Sequence, residues 1–340
     1  MDRKLRFGII GFGMIGYYHA EVIRQVDGCE LVSCTSASYS SAQKLAEKFN
    51  IEAKPSIDDL LSDERINFVT ICSPSGNHYE AAKQALLHNR NVVVEKPMCL
   101  SLEEADELIA LAKEKGLALC VISQTRFSDS VQAIRRAVEN NEFGKMVSAQ
   151  LMMRYSRPQS YYDQADWRGT VKYDGGGVLM NQGIHGIDVL CYIMGRPKSV
   201  MGYATTRLRD IEVEDTAVAA VEFENGSVGS IDATVCSTPS FAKKFIICGE
   251  KGTVILEDDS ISLWALPSPC PVSGQSTTGG SASADPRGIN TEYHRREFEN
   301  IRDHYMYGKP LLIDGDQGRI PLSVILGLYS SSRNGVRIPL

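Results

Sequence analysis

Residues 5–16 read LRFGIIGFGMIG, an apolar run that leads into Gly11, Gly13 and Gly16 in the spacing G-x-G-x-x-G. Such a spacing, after a strand and at the start of a helix, predicts a dinucleotide-binding turn. Gly11 permits the tight turn, Gly13 lets a pyrophosphate approach the backbone, and Gly16 lets the helix pack closely on the strand. A tight turn without a ligand is the alternative. We expect the pyrophosphate to lie along Gly11, Phe12, Gly13, Met14 and Ile15.

The rest of the first 124 residues repeats one pattern. Short apolar runs at 5–10, 29–34, 67–72, 91–95 and 117–122 alternate with segments of helical periodicity near 14–26, 38–49, 78–89 and 101–115. This alternation is typical of a parallel sheet with helices on both faces. Ser101 followed by Glu104 fits a capping box at a helix start, and Ser56 with Asp59 is a weaker case. The sequence therefore predicts an α/β N-terminal Rossmann domain with a doubly wound parallel sheet over residues 1–124.

Cofactor choice is expected to depend on the end of the second strand, within SCTSASYSS at 33–41. An acidic residue there would bind the ribose 2′-hydroxyl of NAD, whereas an arginine would accept the 2′-phosphate of NADP. The position reached by counting is Ser36, which is neither, so we expect either NAD or NADP to bind. Capping of the following helix by Ser36 or Ser38 is an equally good interpretation of these hydroxyls.

Polar residues follow two further strands at the carboxyl edge of the sheet, where ligands of doubly wound folds bind. After the strand NVVV comes Glu95-Lys96-Pro97, and the proline keeps Lys96 out of the helical region, which holds its amine at this edge. A solvated surface lysine is the alternative. Asn77 has the alternative of capping the helix that follows it. The stretch CSPSGNHYE at 72–80 supplies the candidate cofactor contacts Ser73, Pro74, Asn77 and His78.

From residue 125 onwards the sequence predicts β-strands joined by short turns, within 146–155, 196–207, 215–235 and 243–266, with helical segments near 290–307 and 318–333. We expect an α+β C-terminal domain, residues 125–340, with a large, mostly antiparallel open sheet. Residues 267–288 are rich in Ser, Gly and Pro and are predicted to form a surface loop. The strands VAAVEFENG and VGSIDATV keep small and apolar residues on both faces, which predicts a homo-oligomer, a dimer or tetramer, formed through this sheet.

Residues 175–188 read GGGVLMNQGIHGID. On a helix over 177–194, Asn181, His185 and Asp188 would fall within about 60° of one another, with apolar residues on the other sides. The helix is therefore predicted to be buried, with one polar seam facing a cleft. A core histidine bonded to Asp188 is the alternative. The three glycines would let a cofactor or substrate approach the backbone.

Composition excludes several classes of protein. The chain has 340 residues, 43% of them hydrophobic, and a formal net charge of −6, which offers no general attraction for nucleic acid or anionic lipid. No apolar stretch reaches the length of a membrane span, and no cleavage site follows the N-terminal apolar run. The nine cysteines are scattered without metal-type pairing, as expected of reduced thiols in a cytoplasmic protein. We expect no metal, no nucleic acid partner and no membrane partner.

Several motifs in order resemble those of the Gfo/Idh/MocA oxidoreductases: the glycine-rich turn, CSPSGNH, VVVEKP, QTRF at 124–127, WRGT at 167–170, GGGVLMNQGIHGID and LGLYSSSRNG. The resemblance covers nearly the whole chain, and ADWRG with MNQGIH is most similar to members that oxidise pyranose rings, including nucleotide-sugar dehydrogenases. It implies that Lys96 and His185 flank the substrate carbon beside the nicotinamide. It further implies that the nicotinamide pocket is lined by Glu95, Gln124, Trp167 and Arg168.

The substrate side departs from the family in one position. Many inositol-dehydrogenase-like members have Asp four residues before the histidine, where this chain has Asn181. A proton relay through a carboxylate is therefore not expected, and Asn181 is predicted to orient a substrate hydroxyl. The other candidate substrate-binding residues are Tyr155, Arg126 and Arg168.

The leading hypothesis is an NAD(P)-dependent dehydrogenase that acts on a secondary alcohol of a sugar, sugar derivative or cyclitol. His185 would accept the hydroxyl proton and cationic Lys96 would stabilise the developing alkoxide. Two alternatives are an NAD-dependent glycosidase that acts by transient oxidation and elimination, and a non-catalytic nucleotide-binding sensor. The presence of both Lys96 and His185 argues against the sensor.

Overall fold

A computed structural model describes residues 4–272 and 291–340 of the chain. These residues divide into two compact units, Met1–Gln124 with Thr291–Arg319, and Thr125–Asn290 with Ile320–Leu340. The sequence predicted two domains, 1–124 and 125–340, which placed residues 291–319 in the second domain. In the structure these residues belong to the first unit. Of the predicted loop 267–288, residues 273–288 lie outside the described residues, and 267–272 form neither helix nor strand.

The first unit is built on a six-stranded parallel sheet in the order β3-β2-β1-β4-β5-β6, as predicted for a doubly wound fold. Its strands are β1 Leu5–Ile10, β2 Cys29–Thr35, β3 Glu52–Ala53, β4 Phe68–Ile71, β5 Asn91–Val94 and β6 Leu119–Val121. Between them lie helices α1 Met14–Gln25, α2 Tyr39–Phe49, α3 Ile57–Leu61, α4 His78–Leu87 and α5 Leu102–Lys115. The runs that follow β4 and β5 therefore lie at the carboxyl edge of one sheet.

Local sequence signals explain where two of these helices begin. The hydroxyl of Ser101 accepts the backbone N–H of Glu104 at 3.1 Å, and the Glu104 carboxylate accepts the N–H of Leu100 at 3.0 Å. Ser56 likewise accepts the N–H of Asp59 at 3.0 Å. Both predicted caps are confirmed.

The return of the chain to the first unit was not predicted. Phe298 and Ile301, from a later helix over Thr291–Tyr307, are fully buried in the same apolar cluster as Phe7 and Phe68. The ring centres of Phe7 and Phe298 lie 5.6 Å apart. Burial of this apolar face against the N-terminal core assigns the segment to the first unit, and a linear reading of the sequence could not reveal that distant packing.

The second unit contains an eight-stranded sheet in the order β13-β12-β11-β7-β10-β9-β8-β14. Its strands are β7 Met146–Arg154, β8 Pro197–Thr205, β9 Thr216–Phe223, β10 Val228–Thr234, β11 Lys244–Gly249, β12 Gly252–Glu257, β13 Ser260–Ala265 and β14 Ile338–Pro339. Every neighbouring pair is antiparallel except β7 with β10. The predicted large, mostly antiparallel open sheet is confirmed.

The remaining helices are short in the middle of the chain and long at its end. They are α6 Asp129–Glu139, α7 Gln159–Tyr162, α8 Val171–Asp174, α9 Ile184–Met194, α10 Thr291–Tyr307 and α11 Gly315–Asn334. Gly186 of α9 allows close packing on β7, because a Cβ there would lie 2.7 Å from Sδ of Met153. The opposite face of the sheet exposes large apolar side chains among polar ones, and the apolar ones include Met201, Tyr203, Val218 and Val228.

No helix in the described part of the chain is both long enough and apolar enough to cross a membrane. Each of the nine cysteines is free, and most are buried or half-buried.

Candidate active site

The glycine-rich turn between β1 and α1 has the geometry of a nucleotide site. Gly11 has φ +98°, and a Cβ there would lie 2.5 Å from the backbone nitrogen of Ser73. At Gly16 a Cβ would lie 2.5 Å from the Gly11 carbonyl oxygen, whereas at Gly13 it would meet nothing within 4 Å. Gly13 caps α1 without a side-chain hydrogen bond, so the first amides of the helix keep donors for an anion. The open side of Gly13 therefore leaves these amides accessible to an anion.

The end of β2 contains neither an acidic residue nor an arginine. Ser36 follows the strand and is half-buried. Ser38 is the N-cap residue of α2 but makes no side-chain capping bond, and its hydroxyl is 2.8 Å from the Ser40 hydroxyl. The capping alternative is therefore not used by Ser38, and Ser36 directly follows the strand, at the position where the ribose contact is expected from the sequence.

The loop after β4 brings Ser73 and Pro74 beside the Gly11 turn. The Ser73 hydroxyl oxygen is buried and makes no hydrogen bond with the described residues. Asn77 is the N-cap of α4 without a side-chain capping bond, so the capping alternative is not realised there either. The Ser73 hydroxyl therefore keeps its donor and acceptor capacity for a polar ligand.

His78 is placed differently from the predicted cofactor contact. Its buried ring lies between two backbone carbonyls, with Nδ1 2.7 Å from the Pro97 oxygen and Nε2 2.8 Å from the Ser73 oxygen. Burial lowers the pKa of His78, and the two carbonyl hydrogen bonds oppose that effect. The ring joins the loops on either side of Lys96 and contacts backbone where a cofactor contact was expected.

Glu95, expected beside the nicotinamide, is instead part of a buried ion pair. Its carboxylate accepts a hydrogen bond from Nε2 of His19 at 3.0 Å and from the backbone N–H of Lys96 at 3.2 Å. Burial raises the pKa of Glu95, but the hydrogen bond and charge of His19 outweigh it and bring the pKa to about 2. Burial lowers the pKa of His19, but Cys72 and Glu95 raise it to about 10. The charged pair holds the backbone of Lys96 from inside the unit.

A third titratable group, His294, lies next to this pair. The donor atoms of His19, Glu95 and His294 all lie within 4.8 Å of one another, which is a spacing that could hold a metal ion. No metal ligands were predicted from the sequence. The 3.0 Å separation of His19 and Glu95 is that of a hydrogen bond, and Nδ1 of His19 is also 2.8 Å from the Thr70 hydroxyl. In the structure the group is a hydrogen-bonded pair beside a second histidine.

The sequence predicted one regular α-helix over 177–194 for the segment that bears Asn181 and His185, and that prediction is wrong. Residues Val178–Gly183 form a π-helix, and α9 begins only at Ile184. The π-helical turn widens the backbone at Asn181, and such turns are frequent at functional sites. Asn181 and His185 are half-buried, whereas Asp188 is fully buried.

The start of this segment is anchored by Glu214 and Tyr329, two residues that the sequence analysis missed. The Glu214 carboxylate accepts the N–H groups of Gly177 at 2.8 Å and Leu179 at 2.9 Å, and the Tyr329 hydroxyl donates to it at 2.8 Å. Burial raises the pKa of Glu214, although these hydrogen bonds oppose the rise. The only sequence signal was a carboxylate in EVEDT with no partner nearby along the chain.

The glycines of residues 175–177 were expected to admit a ligand, and that expectation is wrong for two of them. A Cβ at Gly176 would overlap the Tyr329 hydroxyl, and one at Gly177 would overlap the Glu214 carbonyl. Gly175 adopts φ +72° and ends α8. Tyr329 and Glu214 therefore occupy the space beside Gly176 and Gly177.

Asp188 is balanced by Arg126 in a buried ion pair. Nε of Arg126 donates to Asp188 Oδ2 at 2.8 Å and Nη2 donates to Oδ1 at 2.6 Å. Arg126 is 1% exposed, and its guanidinium lies 4.6 Å from the ring centre of Tyr192. Arg126 was predicted to bind substrate, but its buried position indicates that it orients α9 instead. In the alternative interpretation His185 was a core histidine bonded to Asp188, but in the structure Arg126 is the charged partner of Asp188.

The other predicted pocket residues are distributed unevenly. Tyr155 is buried, which raises the pKa of its hydroxyl, so direct substrate contact is not what its placement indicates. Gln124 has a buried Oε1 without a hydrogen bond to the described residues. Trp167 and Arg168 are half-buried and adjacent, and Nη1 of Arg168 donates to the Tyr161 carbonyl at 2.9 Å. Lys96 belongs to the first unit, and Asn181 and His185 belong to the second.

Comparison with known proteins covers both units. A family model described as an oxidoreductase family with an NAD-binding Rossmann fold, GFO/IDH/MocA, matches residues 5–123. A model of the GFO/IDH/MocA C-terminal domain matches residues 131–255. The solved WlbA dehydrogenase of Bordetella pertussis, in complex with NADH and UDP-GlcNAcA, is 30% identical with a TM-score of 0.88 over 99% of each chain.

Two curated relatives align with nearly the full chain. The D-glucoside 3-dehydrogenase of Escherichia coli is 27% identical over 99% of this chain and 97% of its own length. The NAD⁺-dependent scyllo-inositol 2-dehydrogenase of Bacillus subtilis is 25% identical over 100% of this chain and 97% of its own length.

Proposed function

Because this chain belongs to the GFO/IDH/MocA oxidoreductase family, we propose that it transfers a hydride between a nicotinamide cofactor and a secondary alcohol of a sugar, sugar derivative or cyclitol. The observation that carries the proposal is the open anion site at Gly13, on the same sheet edge as Lys96. The named relatives act on or bind a nucleotide sugar, a glucoside and an inositol, which supports a ring hydroxyl as the reacting group.

The proposed chemistry divides between two residues. His185 accepts the hydroxyl proton, since an imidazole titrates near neutral pH. Lys96 stabilises the alkoxide that develops on the same oxygen. The bound nicotinamide supplies the hydride acceptor. Asn181, on the π-helical turn before His185, orients a neighbouring hydroxyl.

Supporting residues hold these groups in place. Glu95 and His19 fix the backbone of Lys96, and Glu214 with Tyr329 fixes the start of the segment that bears Asn181. Catalytic groups need positions accurate to a fraction of an ångström, and buried hydrogen bonds provide that accuracy.

The proposal is tested by stopped-flow measurement of NADH formation with a panel of pyranoses, inositols, nucleotide sugars and glycosides, after a thermal-shift screen with each cofactor. We expect at least one ring alcohol to be oxidised with stoichiometric NADH. Sugar release without net NADH would indicate the glycosidase alternative. Cofactor binding with no turnover of any ligand would indicate the sensor.

We further propose a cytoplasmic homo-oligomer, a dimer or tetramer, formed through the eight-stranded sheet. The free cysteines support a reducing compartment. The exposed apolar side chains of Met201, Tyr203 and Val218 support pairing, since exposed apolar patches often mark interfaces. Light scattering is expected to give a multiple of the monomer mass, and Val218→Glu is expected to reduce it. A monomer at micromolar concentration would contradict the proposal.

A further inference from the structure

An aromatic and cationic cluster lies in the second unit. The guanidinium carbon of Arg168 is 4.3 Å from the ring centre of Tyr161, and that of Arg157 is 5.7 Å from the same centre. The rings of Tyr161 and Tyr162 are 5.1 Å apart. Burial raises the pKa of Tyr162, and the positive charges of Arg157 and Arg209 both act to lower it. Three arginines are therefore grouped around two tyrosines.

The loop that bears Arg209 is held in one conformation. The Asp215 carboxylate accepts the backbone N–H groups of Arg207, Leu208 and Arg209, with a distance of 2.9 Å for the last. The Gln159 side chain makes two hydrogen bonds with the backbone of Asp210. Its Oε1 accepts the Asp210 N–H at 2.9 Å, and its Nε2 donates to the Asp210 carbonyl at 3.2 Å. Arg209 is thus fixed beside the turn that contains Tyr161 and Tyr162.

Two of these arginines have a donor without an acceptor in the described part of the chain. The Nε atoms of Arg168 and Arg209 are buried and make no hydrogen bond with the described residues. Within residues 4–272 and 291–340, neither side chain forms an ion pair, unlike Arg126 with Asp188. A buried guanidinium donor without an acceptor is costly, and an oxyanion is the acceptor that matches it best.

Nearby carboxylates do not fill this need. Asp163 and Asp210 are exposed, and Asp163 accepts a hydrogen bond from Gln159. Asp215 is occupied by backbone amides. The same loop continues into Glu214, which anchors the segment with Asn181 and His185. The cluster therefore belongs to the unit that bears the proposed hydroxyl-binding residues.

We propose that Arg168 and Arg209, with Arg157 beside them, form a subsite for the anionic group of the sugar ligand, a carboxylate or a phosphate. The inference rests on the proposed function for the sugar and adds that the sugar is an acid or a phosphate ester. A site with hydrogen-bond donors for one ligand group discriminates strongly against ligands that lack the group, because the donors would stay unsatisfied. A neutral inositol or glucoside would leave both Nε donors in that state.

Ligand binding can be measured separately from turnover. The chain has two tryptophans, so Trp264→Phe leaves Trp167, whose ring lies 5.4 Å from the Arg168 guanidinium, as the fluorescence reporter. The full chain with NADH is titrated with glucuronate and glucose 1-phosphate, which separate the two anion sources, and with glucose and myo-inositol as neutral probes. We expect at least one anionic probe to bind about tenfold tighter than the neutral probes.

The decisive variant is Arg209→Met, with Arg207→Met as the matched control. Both residues lie on the same loop and donate their backbone N–H to Asp215, but Arg207 is exposed. We expect Arg209→Met to weaken binding of the anionic probe about tenfold and leave the neutral probes unchanged. Arg207→Met should change neither, and Arg209→Lys should restore part of the affinity. Thermal unfolding checks that each variant is folded.

Equal binding of neutral and anionic probes, or equal weakening of both by Arg209→Met, would overturn the subsite. If a neutral sugar is oxidised and anions bind no better, the subsite is wrong and the proposed function stands. If anion binding depends on Arg209 but no sugar is oxidised, the subsite stands and the proposed function is wrong.

Discussion

Gly13 in the first unit and Gly177 in the second both occupy positions where space matters, but different atoms use that space. A Cβ at Gly13 would meet nothing within 4 Å, whereas one at Gly177 would overlap the Glu214 carbonyl. The first unit leaves room at its glycine turn for a ligand, and the second unit fills its glycine turn with its own residues. The same residue type thus marks a binding surface in one unit and tight internal packing in the other.

The two units also support their proposed catalytic residues in comparable ways. In the first, the buried His19–Glu95 pair holds the backbone of Lys96. In the second, buried Arg126 pairs with Asp188, which lies on the helix that bears His185. Each pair consists of almost fully buried charges, so we expect its role to be to position the neighbouring residues. This comparison can be tested with two kinds of variant, those that replace the proposed catalytic residues and those that replace a member of a buried ion pair.

The largest effect is expected at the reactive residues themselves. General acid–base groups contribute about 10²–10⁴-fold, so His185→Ala should lose turnover by that range in stopped-flow hydride transfer. NADH affinity, measured by fluorescence titration, should change little. Lys96→Met should also cripple turnover, because it removes the charge beside the forming alkoxide. The two losses should not add, since both act on one event.

The control for His185→Ala is the exposed His88 on the first unit, whose replacement by alanine should leave turnover unchanged. Near-normal hydride transfer in His185→Ala, or loss only through unfolding, would show that His185 is a core histidine and remove the active-site assignment of α9.

The next effect concerns the buried pair of the second unit. Arg126→Met leaves the Asp188 carboxylate buried without its counter-charge, and we expect the free energy of unfolding to fall by about 3–5 kcal/mol. Arg135→Met is the matched control, because Arg135 also covers Tyr192 but pairs with Glu139 at the surface and should cost about 0.5 kcal/mol. Equal losses in urea denaturation would contradict the positional role.

The corresponding pair of the first unit makes stability depend on pH. Glu95 has its pKa lowered from 4.5 to about 2, so its contribution is present above pH 4.5 and is lost as the pH falls towards 2. His19 has its pKa raised from 6.5 to about 10, so its contribution is present below pH 6.5 and is lost as the pH rises towards 10.

His19→Gln should remove both pH dependences and lower the free energy of unfolding by about 3 kcal/mol near neutral pH. Urea denaturation at a series of pH values provides the measurement. The rate of hydride transfer gives a second readout. It should slow even where the variant is fully folded, because the His19–Glu95 pair holds the backbone of Lys96. Parallel pH profiles of variant and wild type would refute the ion pair.

The two glycines give the sharpest contrast between the units. Gly177→Ala should lower the free energy of unfolding by about 2 kcal/mol, because the new methyl group overlaps the Glu214 backbone. Gly13→Ala should leave stability nearly unchanged but weaken NADH binding about tenfold, since the methyl group enters the space of the pyrophosphate. Urea denaturation and NADH fluorescence titration of both variants provide the measurements. A larger loss of stability in Gly13→Ala than in Gly177→Ala would contradict the contrast.

The same contrast explains which features could be predicted. The parallel sheet, the caps at Ser101 and Ser56 and the glycine turn all depend on residues close together in the sequence, and the structure confirms them. Glu214 meets Gly177, and Tyr329 meets Glu214, only through tertiary packing, and the partners are more than thirty residues apart along the chain in each case. Helical periodicity also could not predict the π-helix, because it assumes a constant angle per residue.

The smallest effect is expected at Ser36, the residue that is predicted to contact the cofactor ribose. A serine supplies neither the carboxylate that repels a 2′-phosphate nor the cation that attracts it, so NAD and NADP should differ in affinity by about 1 kcal/mol, or several-fold. Ser36→Asp should shift the preference towards NAD about tenfold or more, by adding a hydrogen bond to the ribose and a repulsive charge. Ser38→Asp, on the exposed N-cap of α2, is the matched control and should shift it less. Calorimetric titration of both cofactors decides the question, and a wild-type preference above a hundredfold in either direction would show that another residue makes the choice.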